Sequence, residues 1–116
     1  MTIEIRSETA TDRQAIQLLN RAAFETDAEA KLVDALRDGG FVDISLVAEE
    51  AGSIIGHILF SQLPIITTGG TVITVSLAPM AVQPSHQRQG VGSCLVEAGL
   101  EECRAQEHRI AVVLGQ

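Results

Sequence analysis

One short segment constrains this chain more than any other, because an apolar run is followed there by two glycines and a helical pattern. Residues 77–95 read LAPMAVQPSHQRQGVGSCL. The first N–H groups of a helix have no partner within the helix, and the helix dipole places partial positive charge beside them. Glycines remove Cβ atoms, so that an anion can approach the backbone closely. The segment therefore predicts a strand–loop–helix unit that can hold a phosphate.

The hydrophobic periodicity predicts a single α/β (α+β) domain over residues 1–116, with the element order β-α-α-β-β-β-α-β. A capping box at Thr11 and Gln14 is expected to begin the first helix. The central strands form an antiparallel meander, and the last crossover makes the final strand parallel to the strand before the glycines. The first expected strand begins at Ile3 and the others cover residues 44–50, 54–63, 71–82 and 109–114, while the helices run to 24, over 28–37 and over 91–106.

The glycine loop does not fit two common nucleotide-binding motifs. A dinucleotide-binding loop needs a third glycine three residues after the second, and Leu95 occupies that position. A P-loop needs a Gly-Lys-Ser/Thr sequence, and no lysine is nearby. A turn that only lets the helix pack closely on the sheet stays open as the structural alternative.

Composition narrows the function classes. The chain has 8 basic and 15 acidic residues, for a net charge of −7, so no basic patch favours nucleic acid. The acidity favours solubility first and a cationic substrate second. No apolar stretch is long enough to span a membrane, and the chain enters its first strand without a signal peptide, which predicts a cytoplasmic protein. Two cysteines nine residues apart on one helix cannot pair, and reduced thiols with no metal site are expected.

The glycine loop resembles the acyl-CoA-binding signature of the GNAT N-acetyltransferases, written Q/R-x-x-G-x-G/A, through Gln87, Gly90 and Gly92. The preceding strand resembles the Leu-x-Pro-x-Ala-Val strand of a small bacterial branch, through residues 77–82. The resemblance covers the chain from its first strand to Leu114. It implies a GNAT-like fold with a mixed, mostly antiparallel sheet, acetyl-CoA as acyl donor and an amine as acceptor.

The resemblance also assigns candidate cofactor-binding residues. Backbone groups of the strand are expected to form hydrogen bonds with the pantetheine arm, as they would with a neighbouring strand. One of the backbone N–H groups would polarise the thioester carbonyl. Pro79 suits a bulge in that strand, because proline is tolerated in strands mainly at bulges and edges. The loop and the helix start would hold the pyrophosphate. These residues are Met80, Ala81 and Val82 in the strand, and Gln87, Arg88, Gln89, Gly90, Val91, Gly92 and Ser93 in the loop and helix.

The catalytic base is less clearly marked. Some family members place a carboxylate where this chain has Ser76, whose hydroxyl could hold a proton-relaying water or be only a small strand residue. His57 is expected to be a packed core histidine rather than a catalytic one, and His86 is expected to be an exposed turn residue, with a position near the phosphate as the alternative. Cys94 is expected to pack under the loop. The acidic turn of Glu25, Asp27 and Glu29 lies where relatives often shape the acceptor site, although these are more simply solvated charges.

Family members usually continue beyond the position of Gln116 with a further helix and two strands, and that segment often supplies a tyrosine. A natural truncation, an expressed fragment or a partner subunit would each explain the difference, and a homodimer through the last strand is favoured. Two classes of function follow. The first is an N-acetyltransferase that transfers acetyl directly to an amine. The second is a catalytically impaired acyl-CoA-binding module that needs a partner to complete its site.

Overall fold

The computed structural model describes residues 2–106, without the side chains of residues 63–65, 72–74 and 78. The predicted order of elements is confirmed from the first strand to the last helix, and the predicted strand at 109–114 lies outside the described residues. Within the described residues the four strands pair antiparallel in the sequential order β1-β2-β3-β4. The elements are β1 (Ile3–Ser7), α1 (Arg13–Phe24), α2 (Ala28–Asp38), β2 (Val42–Glu50), β3 (Ser53–Thr67), β4 (Gly70–Val82) and α3 (Val91–Ala105), with 3-10 turns at Ala10–Asp12 and Pro84–His86.

Both faces of the sheet are buried, because β2 to β4 place apolar side chains on alternate sides. One face packs on α3, and its core includes Leu46, Phe60 and Leu77 together with Leu95 of the helix. The ring of Phe60 occupies the space where a Cβ on Gly99 would be, so the helix can lie this close only with glycine there. The other face carries Val47, Leu59 and Ala81 and lies under α1 and α2. The sheet thus separates two helical layers.

The predicted capping box at Thr11 and Gln14 was wrong by two residues, since it forms at Thr9 and Asp12. Thr9 precedes the 3-10 turn, and the Asp12 carboxylate accepts hydrogen bonds from the Thr9 N–H at 2.7 Å and from its hydroxyl at 3.1 Å. Asp12 also accepts a 2.8 Å hydrogen bond from Arg6 of β1. Thr11 pairs with the Thr9 hydroxyl at 2.9 Å instead of capping the helix. The box therefore forms two residues earlier, because the Asp12 carboxylate accepts hydrogen bonds from Thr9 and from the Arg6 guanidinium at once.

The bulge predicted at Pro79 is confirmed. Ile58 pairs with Met80 and Phe60 pairs with Leu77, so β4 has two residues where β3 has one. An extra residue of this kind interrupts the ladder and bends the strand. Met80 and Leu77 both remain on the α3 face, and the irregular segment lies between them.

Candidate functional site

The loop after β4 has the backbone of an anion site. Gly90 has φ +85° and is the residue before α3, and its carbonyl accepts the Cys94 N–H at 3.1 Å. Arg88 also adopts a left-handed conformation, with φ +66°. The N–H groups of Val91, Gly92 and Ser93 point out of the first helical turn, where no carbonyl precedes them in the helix. Two left-handed residues thus turn the chain so that the positive end of α3 faces outward.

These groups border a cleft of about 520 Å³ between the end of β4 and the start of α3. Eight of the ten predicted cofactor-binding residues line it. Ala81 and Gln89 do not: Ala81 is buried on the other face of the sheet, and the Gln89 amide donates to the Ser85 carbonyl at 3.4 Å. The predicted residues that line the cleft are Met80, Val82, Gln87, Arg88, Gly90, Val91, Gly92 and Ser93.

The two glycines serve different purposes. A Cβ on Gly90 would meet nothing within 4 Å, so this glycine is required by its positive φ. A Cβ on Gly92 would come within 3.2 Å of the Met80 Cε and 3.8 Å of a Val82 methyl. Gly92 therefore keeps the floor of the cleft open where the strand and helix converge. Bare backbone donors beside one arginine fit a phosphate group, and the apolar wall of Met80 and Val82 fits an uncharged arm.

Gln87 has a structural role in the loop. Its side-chain amide donates to the Val82 carbonyl at 3.1 Å, which ties the loop back to the last residue of β4. The signature glutamine thus closes the turn between strand and helix. The Arg88 side chain is exposed at the cleft, where a guanidinium can reach an anion.

Two side chains beside the cleft were not identified as site residues from the sequence. His86 was expected to be an exposed turn residue, but its side chain is only 21% exposed and its Nε2 lies 3.1 Å from Glu50 Oε1. Its Nδ1 lies 2.9 Å from the Ser85 hydroxyl. Glu97 of α3 lines the same cleft. The position of His86 directly before the glycine signature had left a place near the phosphate open as the alternative, whereas nothing local indicates Glu50, which lies 36 positions away in the chain.

Ser76 lies outside the cleft. It is half-buried on β4 and pairs with Ser61 of β3, which is buried. Because Leu77 faces α3 and successive strand residues alternate, Ser76 and Ser61 face the α1–α2 layer. Both serines therefore lie on the side of the sheet opposite the glycine loop. Ser76 directly precedes Leu77, after which the β4 bulge begins.

His57 is a core residue, as predicted. It is fully buried, and its Nε2 lies 2.9 Å from the Ser45 hydroxyl. Burial lowers the pKa of His57 to about 4, against a smaller opposing effect of Glu8. Its Nδ1 has no hydrogen-bond partner among the described residues. The imidazole is therefore neutral near pH 7 and pairs across the strands with Ala81 rather than lying in the cleft.

The remaining candidates are distributed over the surface and core. Cys94 is exposed in the first turn of α3, which corrects the prediction that it packs under the loop, whereas Cys103 is buried. Burial raises the pKa of the Cys103 thiol. In the acidic turn, Asp27 pairs with Arg21 at 3.0 Å and Glu29 accepts from Thr26 at 3.1 Å, so two of the three carboxylates have local partners.

Metal clusters and membrane-spanning helices are both absent from residues 2–106. No group of three or more histidine, cysteine, aspartate or glutamate side chains there is arranged to hold a metal ion. None of the helices in that part of the chain combines the length and apolar composition needed to cross a membrane.

The chain is similar to several known proteins. Residues 8–115 match the model of the acetyltransferase (GNAT) family. The uncharacterized N-acetyltransferase YhbS of Escherichia coli K12 is 39% identical over 112 residues, which are 96% of this chain and 66% of YhbS. A second Escherichia coli K12 protein, the uncharacterized N-acetyltransferase YjhQ, is 33% identical, with 90% of this chain and 59% of YjhQ covered. This chain thus spans less than two thirds of the length of either relative.

Solved structures agree with the sequence matches. A GNAT family acetyltransferase from Brucella melitensis in complex with acetyl-CoA superimposes with a TM-score of 0.87 at 33% identity, over 99% of this chain and 77% of that one. The structure of Escherichia coli YhbS in complex with CoA gives a TM-score of 0.85 at 36% identity, over 96% of this chain and 62% of that one. The sheet flanked by helices, the glycine loop and these matches together show that the chain belongs to the GNAT acetyltransferase family.

Proposed function

We propose that this protein is an acetyl-CoA-dependent N-acetyltransferase that moves the acetyl group from the CoA thioester directly to an amine. The observation that supports it most is the cleft at the N-terminus of α3, where eight of the predicted residues converge. The acetyl-CoA and CoA complexes of the two similar structures support the same donor. The proposal includes a cytoplasmic location, a single domain and a homodimer.

Each part of the cleft has a role in this proposal. The N–H groups of Val91, Gly92 and Ser93 bind the pyrophosphate oxygens, and the Arg88 guanidinium adds a charge-assisted contact. Met80 and Val82 offer backbone N–H and C=O groups to the amides of the pantetheine arm, as a neighbouring strand would. Acetyl-CoA supplies an activated acyl group, and a backbone N–H near the β4 bulge polarises its carbonyl.

Acetyl transfer from this position needs a route for one proton. The amine nitrogen forms a bond to the carbonyl carbon, the carbon–sulfur bond breaks, and the amine proton leaves while the thiolate is released. Ser76 lies on the face of the sheet opposite α3, beside Ser61. In this proposal its hydroxyl holds a water that accepts the amine proton, so that donor and acceptor approach from opposite faces of the sheet.

The experiment that tests the donor is titration calorimetry of acetyl-CoA against the purified chain, with Gly90→Glu/Gly92→Glu as the blocking variant. Carboxylates in the loop repel the pyrophosphate and fill its place. Gly40→Glu is a matched control, because Gly40 also has a positive φ and open space around it but lies outside the cleft. We expect micromolar binding by the wild type and by Gly40→Glu and none by the double variant.

The same purified chain distinguishes an active N-acetyltransferase from an acyl-CoA-binding module. Release of free CoA thiol when candidate amines are added indicates turnover by this polypeptide. Binding without thiol release across the amine panel would favour an acyl-CoA-binding module that needs a partner. If the folded wild-type chain does not bind acetyl-CoA, the proposed donor is wrong.

A further inference from the structure

His86 lines the cleft and forms a hydrogen-bonded cluster with Ser85 and Glu50. The His86 imidazole lies between the Ser85 hydroxyl, at 2.9 Å from Nδ1, and the Glu50 carboxylate, at 3.1 Å from Nε2. The His86 backbone N–H also donates to the Gln83 carbonyl at 2.7 Å. Both ring nitrogens of His86 therefore have hydrogen-bond partners, which restrict the rotation of the imidazole.

The cluster connects the loop before α3 to the end of β2, which is distant in the sequence. Glu50 is the last residue of β2, and His86 is the last residue of the turn before the glycine signature. Their side chains are 16% and 21% exposed. The second oxygen of Glu50 is buried and has no hydrogen-bond partner among the described residues. A half-buried carboxylate with one free oxygen thus lies directly behind the imidazole that borders the cleft.

The cluster can gain a proton without losing a hydrogen bond. Because a carboxylate only accepts, His86 donates its Nε2–H to Glu50 in either charge state. A neutral ring then accepts the Ser85 O–H at Nδ1, whereas a protonated ring donates to the Ser85 oxygen after the hydroxyl rotates. Histidine is the side chain that exchanges a proton in the neutral pH range. One proton therefore changes the charge of the cluster from −1 to 0 while its geometry is kept.

The change of charge alters how strongly the cleft attracts a phosphate group. Besides His86, the ionisable side chains that line the cleft are Arg88, which attracts phosphate, and Glu97, which repels it. With a neutral His86, the Glu50 carboxylate adds a second negative charge on the far side of the imidazole that lines the cleft. Protonation of the ring cancels it.

We propose that His86 is a positioning residue of the cofactor site, held by Glu50 and Ser85, and that binding of a phosphate-bearing CoA ligand is coupled to uptake of a proton by this cluster. The inference rests on the proposed function, since it takes the cleft to be the CoA site. Linkage gives the sign: a ligand that prefers the protonated cluster binds more tightly as pH falls.

The test measures acetyl-CoA binding by calorimetry at several pH values between about 6 and 8, in buffers of different ionisation enthalpy. His86→Gln is the central variant, because its amide nitrogen can still donate to Glu50 but does not titrate. His86→Ala removes both the hydrogen bond to Glu50 and the imidazole that can bind a proton. The phosphate monoester of CoA titrates near pH 6 itself, and it contributes equally to wild type and variants.

We expect the wild type to take up more protons on binding than His86→Gln, and its affinity to rise about threefold to tenfold more over this pH range. His86→Ala should bind more weakly than His86→Gln at every pH. Equal proton uptake in wild type and His86→Gln overturns the coupling, and wild-type affinity in His86→Ala overturns the positioning role. Absence of binding by the folded wild type would instead overturn the proposed donor.

Discussion

Gly92 lies against the end of the Met80 side chain, so that a Cβ on Gly92 would come within 3.2 Å of the Met80 methyl carbon. The first turn of α3 and the end of β4 therefore meet at a glycine and a flexible thioether. This contact sets the width of the cleft between the loop and the strand, and it distinguishes substitutions that the cleft can accommodate from those that it cannot.

We expect Gly92→Ala to bind acetyl-CoA within about threefold of wild type, because the Met80 methyl can rotate away from one added carbon. Gly92→Val should bind at least about tenfold more weakly, since a branched side chain fills the floor of the cleft. Calorimetry measures both affinities. Wild-type binding by Gly92→Val would show that the ligand does not pass this wall.

The contact between Phe60 and Gly99 makes a prediction about stability. Gly99→Ala should lower the free energy of unfolding by about 1–3 kcal/mol, because the new Cβ overlaps the ring of Phe60 in a packed core. Urea denaturation measures this loss. Adding Phe60→Leu removes the overlap, so the double variant should be more stable than the sum of the single effects predicts. Simple additivity of the two effects would contradict the packing role of Gly99.

The buried imidazole of His57 predicts a dependence of stability on pH. Its pKa is about 4 in the fold and 6.5 as its ordinary value, so below pH 6.5 the unfolded chain binds a proton that the folded chain does not. The stability contributed by the neutral ring is therefore complete above pH 6.5 and is lost as pH falls toward 4. The loss amounts to about 3 kcal/mol.

The measurement is the free energy of unfolding between pH 7 and pH 4, in wild type and in His57→Gln. The variant should show a flatter pH dependence in this window. Asp12 contributes little in this window, because Arg6 lowers the pKa of that carboxyl from an ordinary value of 3.8, so the stability that it contributes is lost mainly below pH 4. Parallel curves for wild type and variant would show that His57 binds a proton equally in the folded and unfolded states, which contradicts a lowered pKa.

A kinetic prediction concerns Ser76. If its hydroxyl holds the water that accepts the amine proton, Ser76→Ala should lower kcat by about 100-fold or more while the KM for acetyl-CoA stays close to wild type. Initial rates of thiol release with an amine that supports turnover give both constants. Ser61→Ala is the matched control, because it removes the neighbouring hydroxyl on the same face. An unchanged kcat in Ser76→Ala would leave Ser76 as a strand residue only.

The local pattern of apolar and polar residues was sufficient to predict most of the fold. The alternation of apolar residues in β2 and β4 and the helical stripe from Val91 onward predicted the elements of residues 2–106 in the correct order. Gln87, Gly90 and Gly92 indicated the phosphate loop because turns that need a positive φ or a missing Cβ restrict the residue type at each position. Such restrictions act within a few residues, so the sequence alone displays them.

The tertiary structure decided which side chains meet. The tie between His86 and Glu50, the exposure of Cys94 and the displacement of the first cap from Thr11 to Thr9 all depend on contacts with other strands or helices. Ala81 lies within the predicted strand and yet faces away from the cleft, because the register after the β4 bulge sets its side. Sequence periodicity specifies that a strand has two faces, whereas the packing of α1 and α3 on opposite sides of the sheet decides what each face contacts.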